Sequence, residues 1–347
     1  MERKSKSIDP GSWQVTLLAP PKKFARGLAL GFCGAIPVGL VETARAKVAA
    51  CWWPAGGAEL LSCDGFKELR VLFARGDIIP GMWSKGSGGK TGAVAWRLVD
   101  GVLQARDLHP GKFERSWAEA AGGGAVVGTG VHKGTMGRRS TDAGLVWDAD
   151  GRLYEFQALE DICLRATDGV RVAGDIGGRA ALWTGFDAAP VSLAPDDMPA
   201  STIYALDGEH QVGVAMRKLA ARAVIWRGSA TSVTDLTPAG FESSQAYDAR
   251  SGFQVGVVTR RALTASGAAA SEDQAALWHG AADSWLDLGA LLPLPFNASM
   301  ARSIEVDGER LLVCGEARRV ETADAGTPRE THYVPDAQAV LWSARLR

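Results

Sequence analysis

The sequence predicts an all-β protein: a seven-bladed β-propeller of four-stranded antiparallel blades, its last blade closed by the N-terminal strand. Three observations predict it. The phrase Ala-x-x-Trp recurs along the chain, ending at Trp53, Trp96, Trp183, Trp226, Trp278 and Trp342, and a seventh copy, Gly144-Leu-Val-Trp147, has Gly in place of Ala. A second phrase, an apolar strand ending in Gly, precedes each copy, at Gly39, Gly81, Gly128, Gly174, Gly213, Gly256 and Gly315. Only five residues follow Trp342, too few for a fourth strand, while residues 13–20 at the other end of the chain read as the missing one. Self-similarity at a period of about 50 residues marks a repeat architecture, and four short strands per unit mark a propeller blade.

Each repeat is read in the same order. A Gly-containing turn comes first: Asp168-Gly169, Asp207-Gly208, Ser251-Gly252 and Asp307-Gly308, with Cys33-Gly34, Arg75-Gly76 and Gly122-Gly123 as looser equivalents. Such pairs between apolar runs signal hairpins, because Gly accepts the positive φ these turns need. The strand ending in Gly follows. Its Gly lies five residues past the turn Gly in five repeats (34/39, 76/81, 123/128, 169/174 and 208/213). The Ala-x-x-Trp strand is third. A further turn, as at Thr184-Gly185, Arg227-Gly228 or His279-Gly280, leads to a fourth strand such as Trp285-Leu-Asp-Leu288. Pairing the two chain ends in one blade resists opening of the ring and hides a strand edge.

Composition bounds the function. The chain has 347 residues, 46% of them hydrophobic, so core material is ample for one domain spanning 1–347. A formal charge of −1 gives no bulk attraction to nucleic acid or an anionic membrane, and neither partner is expected. The N-terminus lacks the apolar stretch of a secretory signal, and no run approaches the ~18 apolar residues of a membrane helix. The five cysteines are odd in number and lack metal-type spacing. The expectation is a reduced, cytoplasmic monomer without metal or cofactor, with residues 1–12 as a flexible arm.

The repeat resembles the bacterial HAF-type extracellular repeat. That family pairs a strand ending in Val-Gly with a His-Ala-Phe-Leu-Trp-like strand, an Asp-Leu strand and a Ser-x-Ala segment. The matching stretches are Gln211-Val-Gly213, Arg222-Ala-Val-Ile-Trp226, Thr234-Asp-Leu236 and Ser243-Ser-Gln-Ala246, and Gln274-Ala-Ala-Leu-Trp278 and Gln338-Ala-Val-Leu-Trp342 fit equally. The resemblance covers nearly the whole chain and implies a propeller. It carries no assigned catalytic residue, and this chain departs from it in lacking the His-Ala-Phe tripeptide and the signal sequence.

Function is expected on one face. In a four-stranded blade the connection between second and third strands shares a face with the link between blades. Those connections vary here from 9 residues (Gly174 to Trp183) to 27 (Gly315 to Trp342). Variable loops on a rigid scaffold are where binding resides. Cations recur just past the strand Gly: Lys85, His132, Lys133, Arg217, Lys218, Arg260, Arg261, Arg318 and Arg319. Equivalent ring positions face one way, so these would form an arc for carboxylate, phosphate or an acidic protein surface. The alternative is a set of solvated strand ends. The preferred function is a binding or scaffolding module for a protein or anionic ligand. The alternatives are a hydrolase or lyase in the central depression, with His132, Arg217, Arg260 and Glu330 as its polar candidates, and a lectin-like module.

Other motifs carry less. Gly88-Gly-Lys-Thr91 precedes a strand rather than the helix a phosphate loop needs. Asp148-Ala-Asp150-Gly151 lacks the remaining ligands of a calcium loop and reads as a turn. The five histidines are scattered, and Cys33, Cys51, Cys163 and Cys314 fall in strands as structural thiols. Trp83 and Trp117 lie outside the repeat phrase and are candidate exposed platforms. Residues 259–273 and 318–336 read as long loops without structure of their own, with His332 and Tyr333 as aromatic anchors.

Overall fold

The computed structural model describes residues 6–66, 68–86, 90–132, 142–157, 160–263, 269–319 and 337–347. Seven four-stranded antiparallel sheets form the blades. The first strands of blades 1 to 7 are Arg26–Cys33, Glu68–Val71, Phe113–Gly122, Ile162–Thr167, Ser201–Asp207, Ser243–Arg250 and Ala298–Asp307, and those of blades 3 to 7 and 1 lie against one another in turn around the axis. Blade 7 takes its outermost strand, Gln14–Leu18, from the other end of the chain, with Val15 opposite Trp342 and Leu18 opposite Ala339. Residues 7–12 are docked rather than a free arm. Asp9 N donates to Arg345 O (2.9 Å), Arg347 N to Ser7 O (2.8 Å), and Asp9 pairs with Arg347 at 2.8 Å. These backbone bonds extend the pairing of the two chain ends beyond the strand itself.

The Ala-x-x-Trp phrase encodes both faces of a blade. Residues three apart on a strand point to opposite faces. Each Trp therefore packs toward the preceding blade and each Ala toward the following one. Trp342 lies among Phe253, Val255 and Leu277 of blade 6, and Ala339 lies among Ala29, Phe32 and Cys51 of blade 1. The same division holds around the ring, so the buried residues form seven clusters, each shared by two neighbouring blades. Indole Nε1 of Trp53, Trp96 and Trp342 donates back to Ala19 O, Ser62 O and Leu288 O of the preceding blade, at 3.0, 2.6 and 3.0 Å. In the opposite sense, the amides of Ala93, Ala180, Ala223 and Ala275 donate to hydroxyls of Ser116, Ser201, Ser244 and Ser299 on the next blade. Gly144 stands where the others have Ala because Leu164 and Ile162 of blade 4 fill the space. A Cβ there would meet them at 2.8 and 2.9 Å.

The second repeated Gly does not end its strand, as the sequence reading expects, but sits inside it. The strand Phe253–Leu263, for example, runs well past Gly256. Its purpose is close approach. A Cβ on Gly39, Gly81, Gly128, Gly174, Gly213, Gly256 or Gly315 would fall 1.8–2.1 Å from a carbonyl oxygen of the first strand. In six blades that first strand bulges at the next step, leaving Leu30, Glu119, Arg165, Tyr204, Tyr247 and Arg302 out of register. A bulge bends its strand and re-aims the extra side chain. The Gly is the partner residue that lets the bent backbone come close.

Residues 259–263 and 269–273 are paired strand rather than the loop expected from the Ala, Ser and Thr content of 259–273, and residues 264–268 lie outside the described residues. Thr259 to Leu263 pair in register with Asp273 to Ala269, extending the blade 6 hairpin into an arm. Of the other long loop, residues 320–336, including Glu330, His332 and Tyr333, lie outside the described residues.

Candidate functional site

The bulges place a contiguous row of polar and aromatic side chains at the axis. Arg165 Nη1 lies 3.6 Å from Glu119 Oε2, and Trp117 Nε1 donates to Glu119 Oε1 at 2.6 Å. The rings of Tyr204 and Tyr247 are 5.9 Å apart. The Arg302 guanidinium sits 5.0 Å from the centroid of the Tyr247 ring and donates through Nη2 to Glu316 at 2.9 Å. Blades 3 to 7 thus contribute Glu119, Arg165, Tyr204, Tyr247 and Arg302 in order around the ring. Two buried donors in this row are unmet. The buried Nε atoms of Arg165 and Arg302 have no acceptor.

Burial dominates the electrostatics of the row. It pushes the Glu119 carboxyl above the ordinary range, with Arg165 and the Trp117 bond only partly pulling it back. Burial likewise raises Asp175 beside Arg165, against the opposing bonds from Thr202 and Gly178. Tyr247 is pushed up to about 12 by burial and keeps its proton.

One end of the axis is tied shut. Arg75, from blade 2, reaches across to donate to Leu206 O of blade 5 and Ala249 O of blade 6, both at 2.7 Å. It also lies 3.7 Å from Asp248, whose other oxygen accepts from Ser303 Oγ (2.6 Å) and Ile304 N (3.0 Å) of blade 7. These groups sit beside the tight hairpin turns. Between them and the row is a cavity of about 30 Å3 lined by Phe73, Arg75, Arg165, Tyr204, Tyr247 and Asp248, among others. Such a space holds one or two waters.

The cations predicted for that face are spread over separate blades, and most meet an acid. Arg217 pairs with Asp235 (3.1 Å) and Asp197 (3.3 Å), Arg260 with Glu272 (2.8 Å), and Arg261 with Glu242 (3.1 Å). Arg318 is buried and pairs with Asp273 at 3.0 Å. His132 Nε2 lies 3.1 Å from Glu155 and its ring packs on Phe113. Lys85 stands about 6 Å from the Phe66 and Trp83 rings, a cation–π geometry. Lys218 sits in a tight turn at φ 58°, and Arg319 is exposed. Lys133 lies outside the described residues.

Trp83 is no exposed platform. It is buried, stacked on Phe66 at 4.2 Å, with Nε1 donating to Asp107 at 2.9 Å. Thr91 opens a strand, and Asp148 Oδ1 caps a turn by accepting from Asp150 N (3.0 Å) and Arg152 N (2.8 Å). The thiols of Cys33, Cys51 and Cys314 are free and buried, and burial pushes Cys33 up to about 11 and Cys51 to about 12. No cluster of three metal-ligating side chains occurs among the described residues.

Sequence reasoning missed the axial row, though a signal exists. Leu30, Glu119, Arg165, Tyr204 and Tyr247 each stand nine residues before their blade's strand Gly, as does Leu72 of blade 2. In blade 7 the hairpin is longer and Arg302 stands thirteen residues before Gly315.

No protein-family model matches the chain, and no curated protein matches it. Solved structures do, at low identity. An acylaminoacyl peptidase complexed with Z-Gly-Gly-Phe-chloromethyl ketone matches at 14% identity and TM-score 0.55, over 94% of this chain and 52% of that one. A puromycin-hydrolysing peptidase of Mycobacterium tuberculosis matches at 14% identity and TM-score 0.51, over 91% of this chain and 55% of that one. The β-propeller domain of the Trilobed protease from Pyrococcus furiosus matches at 10% identity and TM-score 0.53, over 90% of this chain and 99% of that one. That domain is described as having an open velcro topology, whereas this ring is closed by Gln14–Leu18. The chain spans about half the length of the two peptidases, and at these identities the likeness shows the propeller fold and no more.

Proposed function

We propose that this propeller is a binding module that engages a protein or an anionic ligand through its long-loop face. The observation that carries the reading is the difference between the two ends of the axis. The hairpin end is tied by Arg75 and tight turns. The other end carries the paired arm of blade 6 and two almost fully exposed leucines, Leu219 (97%) and Leu294 (92%). Exposed large apolar side chains beside charged groups suit a protein contact, where an apolar centre is ringed by a polar rim. The paired acids change what the cations would do. Arg217, Arg260 and Arg261 would recognise a partner by exchanging one carboxylate for another, which gives specificity more than affinity.

The test is differential. Partners crosslinked to the wild-type chain in its source cells are compared with those of a variant carrying Leu219→Ser, Leu294→Ser and a short turn in place of residues 260–272. A control carries Val170→Ser and Val102→Ser on other exposed positions. Loss in the first variant only supports the reading, and equal capture by all three overturns it. A second reading, a hydrolytic role, draws on the peptidase neighbours. This chain matches only about half of each of those peptidases. Turnover of an N-acylated peptide by residues 1–347 alone would place that role in the propeller.

A further inference from the structure

We infer that the axial row is a carboxylate-binding site, entered from the long-loop face, that takes the terminal carboxylate of a small acid or of a peptide end. The inference rests on the binding reading only for the direction of entry.

The argument is one of unmet donors. Arg165 Nε and Arg302 Nε are buried side-chain donors without an acceptor among the described residues, and Tyr204 and Tyr247 carry two further hydroxyl donors on the same row. Arg165, Tyr204 and Tyr247 line one cavity, and Arg302 lies over the Tyr247 ring. Buried polar groups are normally paired, and one left unpaired costs about 1–3 kcal/mol. An ionised carboxylate accepts only, through two oxygens with about four lone-pair sites, and arginine is suited to it. The row offers the complementary set.

Size and charge narrow the class. A cavity of about 30 Å3 admits one functional group, so the rest of a ligand would lie outside it. Two arginines face Glu119, Asp175 and Glu316, so the site gains little from a second negative charge. On this proposal a monoanion is favoured over a phosphate dianion. Burial keeps Glu119 and Asp175 protonated to higher pH than usual, which eases entry of a further carboxylate. The bond from Trp117 to Glu119 supplies an intrinsic fluorescent reporter at the edge of the row.

The full chain is titrated calorimetrically at constant ionic strength with acetate, trialanine, trialanine amide and inorganic phosphate. Acetate or trialanine binds, while the amide and phosphate bind at least about tenfold more weakly, the loss expected for one charge-assisted contact. Trialanine tighter than acetate assigns a peptide end, and the reverse assigns a small free acid. Tyr204→Phe with Tyr247→Phe removes two donors without changing shape, and it weakens the bound probe about tenfold with an unchanged melting curve. Arg165→Gln weakens it further. Removing residues 260–272 leaves the probe bound, so failure of the rim proposal and failure of this one are told apart. Heat from neither acetate nor trialanine, equal binding of the amide or of phosphate, or unchanged binding in the double Phe variant overturns the inference.

Discussion

The strand glycines give a sharp test of how the fold is specified, and Gly256→Ala is the cleanest case. A Cβ at this position would lie 1.8 Å from Gln245 O, 2.9 Å from Gln245 C and 3.0 Å from Ala246 Cα. All three are backbone atoms of the adjacent strand, so no rotamer change relieves the clash. Restoring an ordinary contact moves the strands of blade 6 apart by about 1 Å at the Gly256–Ala246 pair, where interiors are packed like crystals. Two flanking ladder bonds would stretch, at about 1 kcal/mol each, and overpacking adds about 1–3 kcal/mol. Lower chain entropy of the unfolded Ala variant returns about 0.4–1 kcal/mol. The net destabilisation is about 2–4 kcal/mol.

Urea unfolding followed by tryptophan fluorescence measures this as a fall in midpoint. The control is Gly185→Ala, where the added Cβ meets only Ala188 Cβ at 3.9 Å. That variant should stay within about 0.5 kcal/mol of wild type. A Gly256→Ala protein as stable as Gly185→Ala would refute the reasoning, because the glycine would then not be set by the carbonyl opposite it.

Other outcomes follow from the same geometry. Gly144→Ala restores the repeat phrase yet destabilises, by about 1 kcal/mol, because the obstructing atoms are side chains of Leu164 and Ile162 that can yield; the urea midpoint reads it. Arg75→Ala costs about 3–5 kcal/mol by cutting two cross-axis bonds and leaving Asp248 without its cation, and it should speed hydrogen exchange in the first strands of blades 5 and 6. Asp175 has a folded-state pKa raised by burial, so the native state holds its proton more tightly than the unfolded chain does. Stability attributable to this group therefore falls as pH rises through the window from the unfolded to the folded value. Asp175→Asn should flatten that part of a stability–pH curve, seen in melting temperatures from pH 4 to 7. Iodoacetamide at pH 8 should modify Cys63 before Cys33, Cys51 or Cys314 in the native protein, by intact-mass analysis, since the latter three are buried and held as thiols.

The ring was legible because its determinants are local and repeated. Ala-x-x-Trp places a small and a large residue on opposite faces of every third strand, so one phrase records both blade interfaces. The closure was legible from arithmetic, since Trp342 leaves no room for a fourth strand while Gln14–Leu18 has no other partner. What local patterning misread were residues whose role depends on a neighbour in space. Gly256 looks like a strand end until Gln245 O is seen against it. Residues 259–273 look like a loop by composition, yet 259–263 and 269–273 satisfy one another's backbone groups. Trp83 falls outside the repeat phrase, and only its stacking on Phe66 shows it to be core.

The axial row shows why the site lagged behind the fold. Blade packing constrains Ala, Trp and Gly at fixed positions, and selection for packing repeats them. The bulged residue is out of register with its partner strand, so packing places no such demand on it, and its identity changes from Leu30 to Glu119, Arg165, Tyr204, Tyr247 and Arg302 around the ring. A position that is fixed in the architecture and variable in chemistry leaves no repeated letter to find. The strand Gly does mark it, nine residues downstream in six of the seven blades, so the two most informative features of the chain are linked. The glycine permits the bulge, the bulge turns one side chain toward the axis, and five such side chains in sequence make the row of arginines, tyrosines and glutamate on which the carboxylate proposal stands.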